Sequence, residues 1–281
     1  MITIGLQRKR KMADLIAAGL TWFCAGVTFF VLLSLIGYIL AGGLPYIKPS
    51  LFEIHYNTTN VSLLPALVTT VIMVAASLLI AVPLGVFSAI YLVEYARRGN
   101  KLVKVVRMMA ETLAGIPSIV YGLFGWLFFV TWLGWGFSLL AGSFTLSIMI
   151  LPLIMRTTEE SLKSVPDEYR EGAFGLGAGR LRTVFRIVLP VAMPGILAGV
   201  ILAIGRIVGE TAALIYTAGT VAQIPPSPMA SGRTLAIHMY ALSSEGLYTG
   251  QAYASAVILL VVVAGINALS AAAAKKFSKS K

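Results

Sequence analysis

The sequence predicts an all-α membrane protein that crosses the bilayer six times with both termini in the cytoplasm. Three observations carry the prediction. Hydrophobic residues make up 58 % of the chain and charged residues only 12 %, a balance outside the soluble range. Apolar runs of 20 or more residues recur, each long enough to cross a hydrocarbon core of about 30 Å as a helix. Lysine and arginine alternate between successive connecting segments: four, one, five, none, six, one and four. That places nineteen basic residues on one side against two on the other, with Arg206 left inside a span. The positive-inside rule puts the richer side in the cytoplasm. It also excludes a nucleic-acid reading of the +11 net charge, because the charge marks topology.

Residues 1–14 form a cytoplasmic segment carrying Arg8, Lys9, Arg10 and Lys11, and residues 15–274 form one transmembrane domain. The first span is Leu15–Gly42. A signal peptide has an apolar core of only about 7–15 residues, so this run is expected to be retained. A polar segment, Pro45–Val61, holds Lys48 alone. The second span runs from Ser62 to about Tyr91 and includes Pro65 and Pro83, which neighbouring helices can accommodate. A basic loop with Arg97, Arg98, Lys101, Lys104 and Arg107 leads to a third span, Ala110–Leu133. Gly134, Trp135 and Gly136 turn the chain into the fourth span, Phe137–Met155, and Trp126, Trp132 and Trp135 gather there as an interface belt. A cytoplasmic loop, 156–190, separates it from the fifth span, Val191–Ala218. Gly219–Gly250 faces outward with a short helix at Thr234–Ser243, and the sixth span is Gln251–Ala274. The tail, 275–281, carries Lys275, Lys276, Lys279 and Lys281.

Within the cytoplasmic loop, Val165, Tyr169, Gly172, Ala173 and Leu176 recur at helical spacing, with Asp167, Glu168, Arg170 and Glu171 between them. Ser164 is expected to cap this helix, with Asp167 in the capping-box position. Gly172, Gly175, Gly177 and Gly179 weaken its continuation. Such a helix either lies on lipid or docks a soluble partner. The acidic Asp167, Glu168 and Glu171 disfavour an anionic lipid surface, so docking is the preferred reading, by analogy with helix-in-groove recognition.

The chain offers little to catalysis. No G-x-x-x-x-G-K-[ST] sequence is present, and the glycines at 175, 177 and 179 do not follow a strand. One cysteine, Cys24, excludes an internal disulfide. With two histidines, His55 and His238, it leaves no metal cluster and no nucleophile–base set. No cofactor is expected on this chain, and an intramembrane enzyme is kept only as an alternative. The unusual residues are charges inside spans, which are functional candidates by default. Arg206 lies near the middle of the fifth span and Glu210 one turn on, sharing a small-residue face with Gly195, Gly199 and Ala213. The plain reading is a structural ion pair with glycines for helix packing, although Arg before Glu at i, i+4 is the weaker orientation. Glu111 and Arg156, at cytoplasmic span ends, are further candidates; snorkelling explains Arg156 about as well.

The residues also carry a family resemblance. Glu171-Gly172-Ala173, then Gly177, then nine residues to Ile187-Val188-Leu189-Pro190, resembles the EAA loop of ABC-importer permeases, E-A-A-x3-G-x9-I-x-L-P. The one departure is Gly172 in place of alanine. Gly205-Arg206-Ile207-Val208-Gly209-Glu210-Thr211-Ala212 is similar to the fifth-span signature of phosphate-specific ABC permeases. So are Glu111–Phe124, and Leu151-Pro152 through Arg156–Glu160. The resemblance points to the A-type subunit and implies a type I importer permease fold. It implies an inner-membrane complex with a C-type permease partner, two ATPase subunits carrying ATP and magnesium, and an extracytoplasmic phosphate-binding protein. It further implies that Glu168, Glu171, Gly172, Ala173, Gly177, Ile187, Leu189 and Pro190 belong to the coupling loop, and that Arg206, Glu210, Arg156 and Glu111 border the substrate path. Sulfate and molybdate, also tetrahedral oxyanions, remain alternatives.

Overall fold

The computed structural model describes residues 2–97 and 99–279, with side chains for 14–97, 99–269 and 272. Eleven α-helices and no strand occur among the described residues: α1 (Ile2–Gly43), α2 (Leu64–Ile90), α3 (Lys101–Ala114), α4 (Ser118–Gly125), α5 (Leu139–Lys163), α6 (Asp167–Gly175), α7 (Arg180–Thr183), α8 (Leu189–Val208), α9 (Ala212–Ile215), α10 (Leu235–Glu245) and α11 (Thr249–Lys279). Three π turns lengthen or join them: Tyr91–Tyr95 after α2, Trp126–Trp132 after α4, and Val184–Val188 between α7 and α8. The third precedes Pro190, where a wider turn gives room for a ring that would clash with the carbonyl four residues back.

Five helical runs are long and apolar enough to cross a membrane: Asp14–Tyr46, Leu64–Tyr95, Leu139–Lys163, Arg180–Val208 and Thr249–Leu269. The sixth crossing corrects the sequence reading. Instead of one helix from Ala110 to Leu133, α3 and α4 meet at a 103° bend. The cause is Gly115-Ile116-Pro117: Gly115 ends α3, and Pro117 biases the residue before it away from helical geometry. Lys101, Lys104 and Arg107 therefore lie on a helix and not in a loop. They share α3 with exposed Leu102, Val105, Met108 and Met109, the pattern of an interfacial amphipathic helix.

α5 is the central element; it packs against α2 on one side and α8 on the other. Met73, Leu146, Ile150, Ile207 and Leu214 form the mid-bundle core. A second core, with Ile90, Leu162, Val165, Val184 and Val188, lies under the charged loop. A third, with Leu51, Leu63, Leu235 and Ala254, closes the opposite end. The α5–α8 seam needs small residues: a Cβ on Gly195 or Gly199 would run into the side chains of Ser161 and Thr157. That bears out glycine packing on this face. The turn at Gly134 and Gly136 forms as expected, both at positive φ (68° and 64°). Ser138 then caps α5, accepting from Ala141 N at 3.2 Å. The outward helix expected at Thr234–Ser243 is α10, capped by Thr234.

Candidate functional site

Arg206 sits in the last turn of α8, partly buried. The fifth span was expected to continue to Ala218, with Arg206 and Glu210 on one face. Instead α8 stops at Val208, Gly209 caps it, and Glu210 lies beyond the helix. No ion pair joins the two residues among the described contacts. The reason is local: Glu210 is buried, and its Oε1 accepts from Ala213 N at 3.1 Å, so the carboxylate caps α9. A side chain that satisfies the free N–H of a new helix stabilises a break there.

The other broken span meets this one. α4 packs against α9 so closely that a Cβ on Gly122 would lie 2.8 Å from Ala213 Cα. The buried Tyr121 hydroxyl donates to Leu113 O at 2.7 Å, stapling the α3–α4 bend from inside. The α3–α4 bend and the α8–α9 break are thus brought together, with Arg206 in the last turn before the second and engaged by no ion pair of the described residues, a construction that suits an ion-binding site within a membrane. The planar fork of an arginine matches an oxyanion.

Glu111 and Arg156 are not brought to this place. Thr157 faces Gly199, and Arg206 is seven residues further along α8, about 10 Å at 1.5 Å per residue. Arg156 is exposed and bonds Glu160 Oε1 through Nε at 3.0 Å. Glu111, on α3, lines a cavity with Lys163 and Asp167 at the charged loop.

In that loop the structure corrects the start of the helix. Ser164 is the C-cap of α5, and its hydroxyl donates to Ser161 O at 2.8 Å. α6 begins at Asp167 after Pro166, because a residue before proline disfavours helical geometry. Gly172 and Gly175 stay helical, while Gly177 ends the helix at φ 81°. Its N–H donates to Phe174 O at 2.9 Å and that of Ala178 to Ala173 O at 3.0 Å, the Schellman pattern. Val165 and Ala173 are buried, whereas Glu168, Tyr169, Glu171, Gly172 and Gly177 are exposed and Leu176 is 91 % exposed. The buried Ala173 packs; it does not face outward. Ile187 and Leu189 are partly buried and Pro190 exposed, all within the helical run from Arg180 to Val208.

Two residues that hold α6 in place were missed from the sequence. The Arg170 side chain is only 14 % exposed and that of Glu94 8 %, and Arg170 Nη2 meets Glu94 Oε1 at 2.8 Å. Arg170 also donates to Val165 O at 2.8 Å and Leu162 O at 2.9 Å. The available signal was a lone arginine in an acidic helix and a lone acid at the foot of the second span. A second missed cluster lies at the opposite end. Arg233 (6 % exposed) stacks 4.6 Å over the Tyr56 ring, and His238 (0 % exposed) meets the same ring edge-on at 6.1 Å. Nε and Nη2 of Arg233 and both His238 nitrogens find no protein partner among the described residues. Burial, and secondarily the Arg233 charge, push the His238 pKa down to about 3.

The family model described as the inner membrane component of binding-protein-dependent transport systems matches residues 81–279. The chain is 33 % identical over 258 residues to a probable ABC transporter permease protein, YqgI, of Bacillus subtilis, covering 85 % of this chain and 86 % of that one. It is 38 % identical over 213 residues to the phosphate transport system permease protein PstA of Mycobacterium leprae (74 % and 68 % covered). To PstA of Haemophilus influenzae it is 32 % identical over 267 residues (92 % of each). A solved bacterial alginate ABC transporter, in complex with its alginate-bound periplasmic protein, contains a chain of the same fold. Its TM-score is 0.68 at 17 % identity, covering 97 % of this chain and 96 % of that one.

Proposed function

Because the chain belongs to the family of inner membrane components of binding-protein-dependent transport systems, as a multi-pass permease of an ABC importer, we propose that inorganic phosphate is the anion it carries. The observation that supports this most directly is Arg206. It is an arginine without a carboxylate partner at the junction of two broken spans, in a chain whose relatives at 32–38 % identity bear the name phosphate transport system permease protein. A carboxylate such as Glu210 can accept a hydrogen bond from the hydroxyl of hydrogen phosphate, and fully ionised sulfate has no such donor.

In this reading the chain pairs with a C-type permease subunit and lines half of the pathway. Two ATPase subunits bind the ATP and magnesium, and an extracytoplasmic phosphate-binding protein delivers the anion. Residues 15–274 are the transmembrane domain, with residues 1–14, 156–190 and 275–281 in the cytoplasm. α6 is the coupling helix, and its exposed Glu168, Glu171 and Gly172, with Tyr169 and Leu176 beside them, face the ATPase. Opening and closing at the bends on either side of Arg206 would alternate access while the ATPase supplies the energy.

The test is radiolabelled phosphate uptake by the reconstituted complex, with unlabelled phosphate, sulfate and molybdate as competitors. Competition by phosphate alone supports the reading; equal competition by sulfate or molybdate overturns the assignment of substrate. Orientation is read separately. With a single cysteine in a Cys24-free background, Leu247→Cys, exposed after α10, should react with an impermeant thiol reagent in intact cells. Leu176→Cys should not.

A further inference from the structure

The N-terminal part of α3 encloses, with the foot of α2 and the loop elements α6 and α7, a cavity of about 1010 Å³. Its lining is predominantly basic, with seven lysines and arginines against Glu94, Glu111 and Asp167. Arg107 and Lys163 share Glu159, and Arg170 is held by Glu94 and Asp167. Arg97, Lys101, Lys104 and Arg180 also line the cavity, and no ion pair of the described residues engages any of the four. Arg180 Cζ lies 5.6 Å from the centroid of the Tyr95 ring. Lys101 and Lys104 stand in the first turn of α3, whose N-terminus Asn100 caps. Two cations at the positive end of a helix dipole are unfavourable unless an anion joins them.

The same helix says where that anion comes from. Leu102, Val105, Met108 and Met109 of α3 are exposed apolar side chains, and α3 lies at 103° to the segment that enters the membrane. Acyl chains along the apolar side bring a headgroup to the basic side. Basic pockets between spans on the lysine-rich face of membrane proteins take anionic headgroups in this way. We propose that this cavity is a phosphoryl-binding site filled by an anionic phospholipid from the adjacent leaflet, with Lys101, Lys104, Arg97 and Arg180 as its cations. Free inorganic phosphate offers the same chemistry and is the competing source. The inference does not depend on the identity of the transported anion.

The experiment uses the assembled complex, ATPase included, in phosphatidylcholine nanodiscs doped with photoactivatable phosphatidylglycerol, with crosslinks mapped by mass spectrometry. Labelling should fall on α3 and drop about tenfold or more in the double variant Lys101→Gln, Lys104→Gln. It should persist in Lys101→Arg, Lys104→Arg, which keeps the charge and controls for folding. Labelling that survives millimolar inorganic phosphate, at ionic strength matched with chloride, assigns the site to lipid. Labelling that phosphate abolishes keeps the phosphoryl site and assigns it to the soluble anion. Equal labelling of wild type and the glutamine variant overturns the proposal. So does an α3 unlabelled in the complex yet labelled once the ATPase is stripped, which would give the cavity to the ATPase.

Discussion

Two arginine–glutamate couples stand at different depths of this molecule, and they are built in opposite ways. Arg170 and Glu94 are 76 residues apart in sequence and meet in a nearly dry contact at 2.8 Å. Arg206 and Glu210 are four residues apart and do not meet, because the helix ends between them and the carboxylate caps α9. A buried charge whose partner is fixed holds a position; a buried charge whose neighbour is occupied elsewhere stays available to a ligand. Proximity in sequence is thus a poor guide to which acid an arginine serves.

That contrast can be broken first at Arg206. Arg206→Gln should lower phosphate uptake per assembled complex by about 100-fold or more, the range for losing a desolvated charge contact, with Arg206→Lys between it and wild type. Adding Glu210→Gln should not restore transport; full recovery in the double variant would make the couple a structural pair after all. At the other couple the expectation reverses. Arg170→Met or Glu94→Gln alone should cost about 2–4 kcal/mol by stranding a largely buried charge. Arg170→Met with Glu94→Met should regain most of the loss in thermal denaturation.

The Arg233–His238 cluster extends the comparison to an arginine with a histidine and no acid. With the folded pKa near 3 against about 6.5 unfolded, neutral His238 contributes its full stability above pH 6.5. That contribution is lost as pH falls toward 3, at no more than about 1.4 kcal/mol per unit. Melting temperature measured between pH 7 and 4 should fall less steeply in His238→Gln than in wild type. The smallest effect belongs to the end of α6. Gly177→Ala should cost about 1 kcal/mol, because φ of 81° is left-handed. Gly172→Ala, inside the helix and with open space around a Cβ, should gain about as much. Co-purification of the ATPase should weaken in the first and hold in the second.

The span count, the tight glycine turn, α10 and the small-residue seam of α8 were legible because each rests on local pattern: hydropathy, turn chemistry or spacing. The two breaks were not. Gly115-Ile116-Pro117 and Gly209-Glu210-Thr211 sit within apolar runs, and a bilayer tolerates such interruptions in a straight helix as readily as in a bent one. The packing of α4 on α9, invisible in the sequence, accompanies both breaks. Arg206 stood out in the sequence because a charge in a span is costly, yet its lack of a partner depended on where α8 stops. Arg170 looked like one more exposed charge, since its partner lies on another helix. The periodicity of Val165, Tyr169, Ala173 and Leu176 showed the helix, but not that Val165 and Ala173 would be buried within the chain while Tyr169 and Leu176 stay exposed.

α1 and α11 carry a consequence for how the protein is made. Most of α1 is exposed within this chain, and its C-terminal end packs against α11. Tyr38 and Tyr253 join through their hydroxyls at 3.1 Å, and Gly42 and Gly43 lie against Tyr253. α1 therefore leaves the ribosome long before the helix it packs against, the two tyrosines standing 215 positions apart in sequence. Long-range closures of this kind are late and slow. Until α11 is threaded, α1 is a solitary span in lipid, and this is the interval in which a chaperone or the partner subunit has most to gain by holding it.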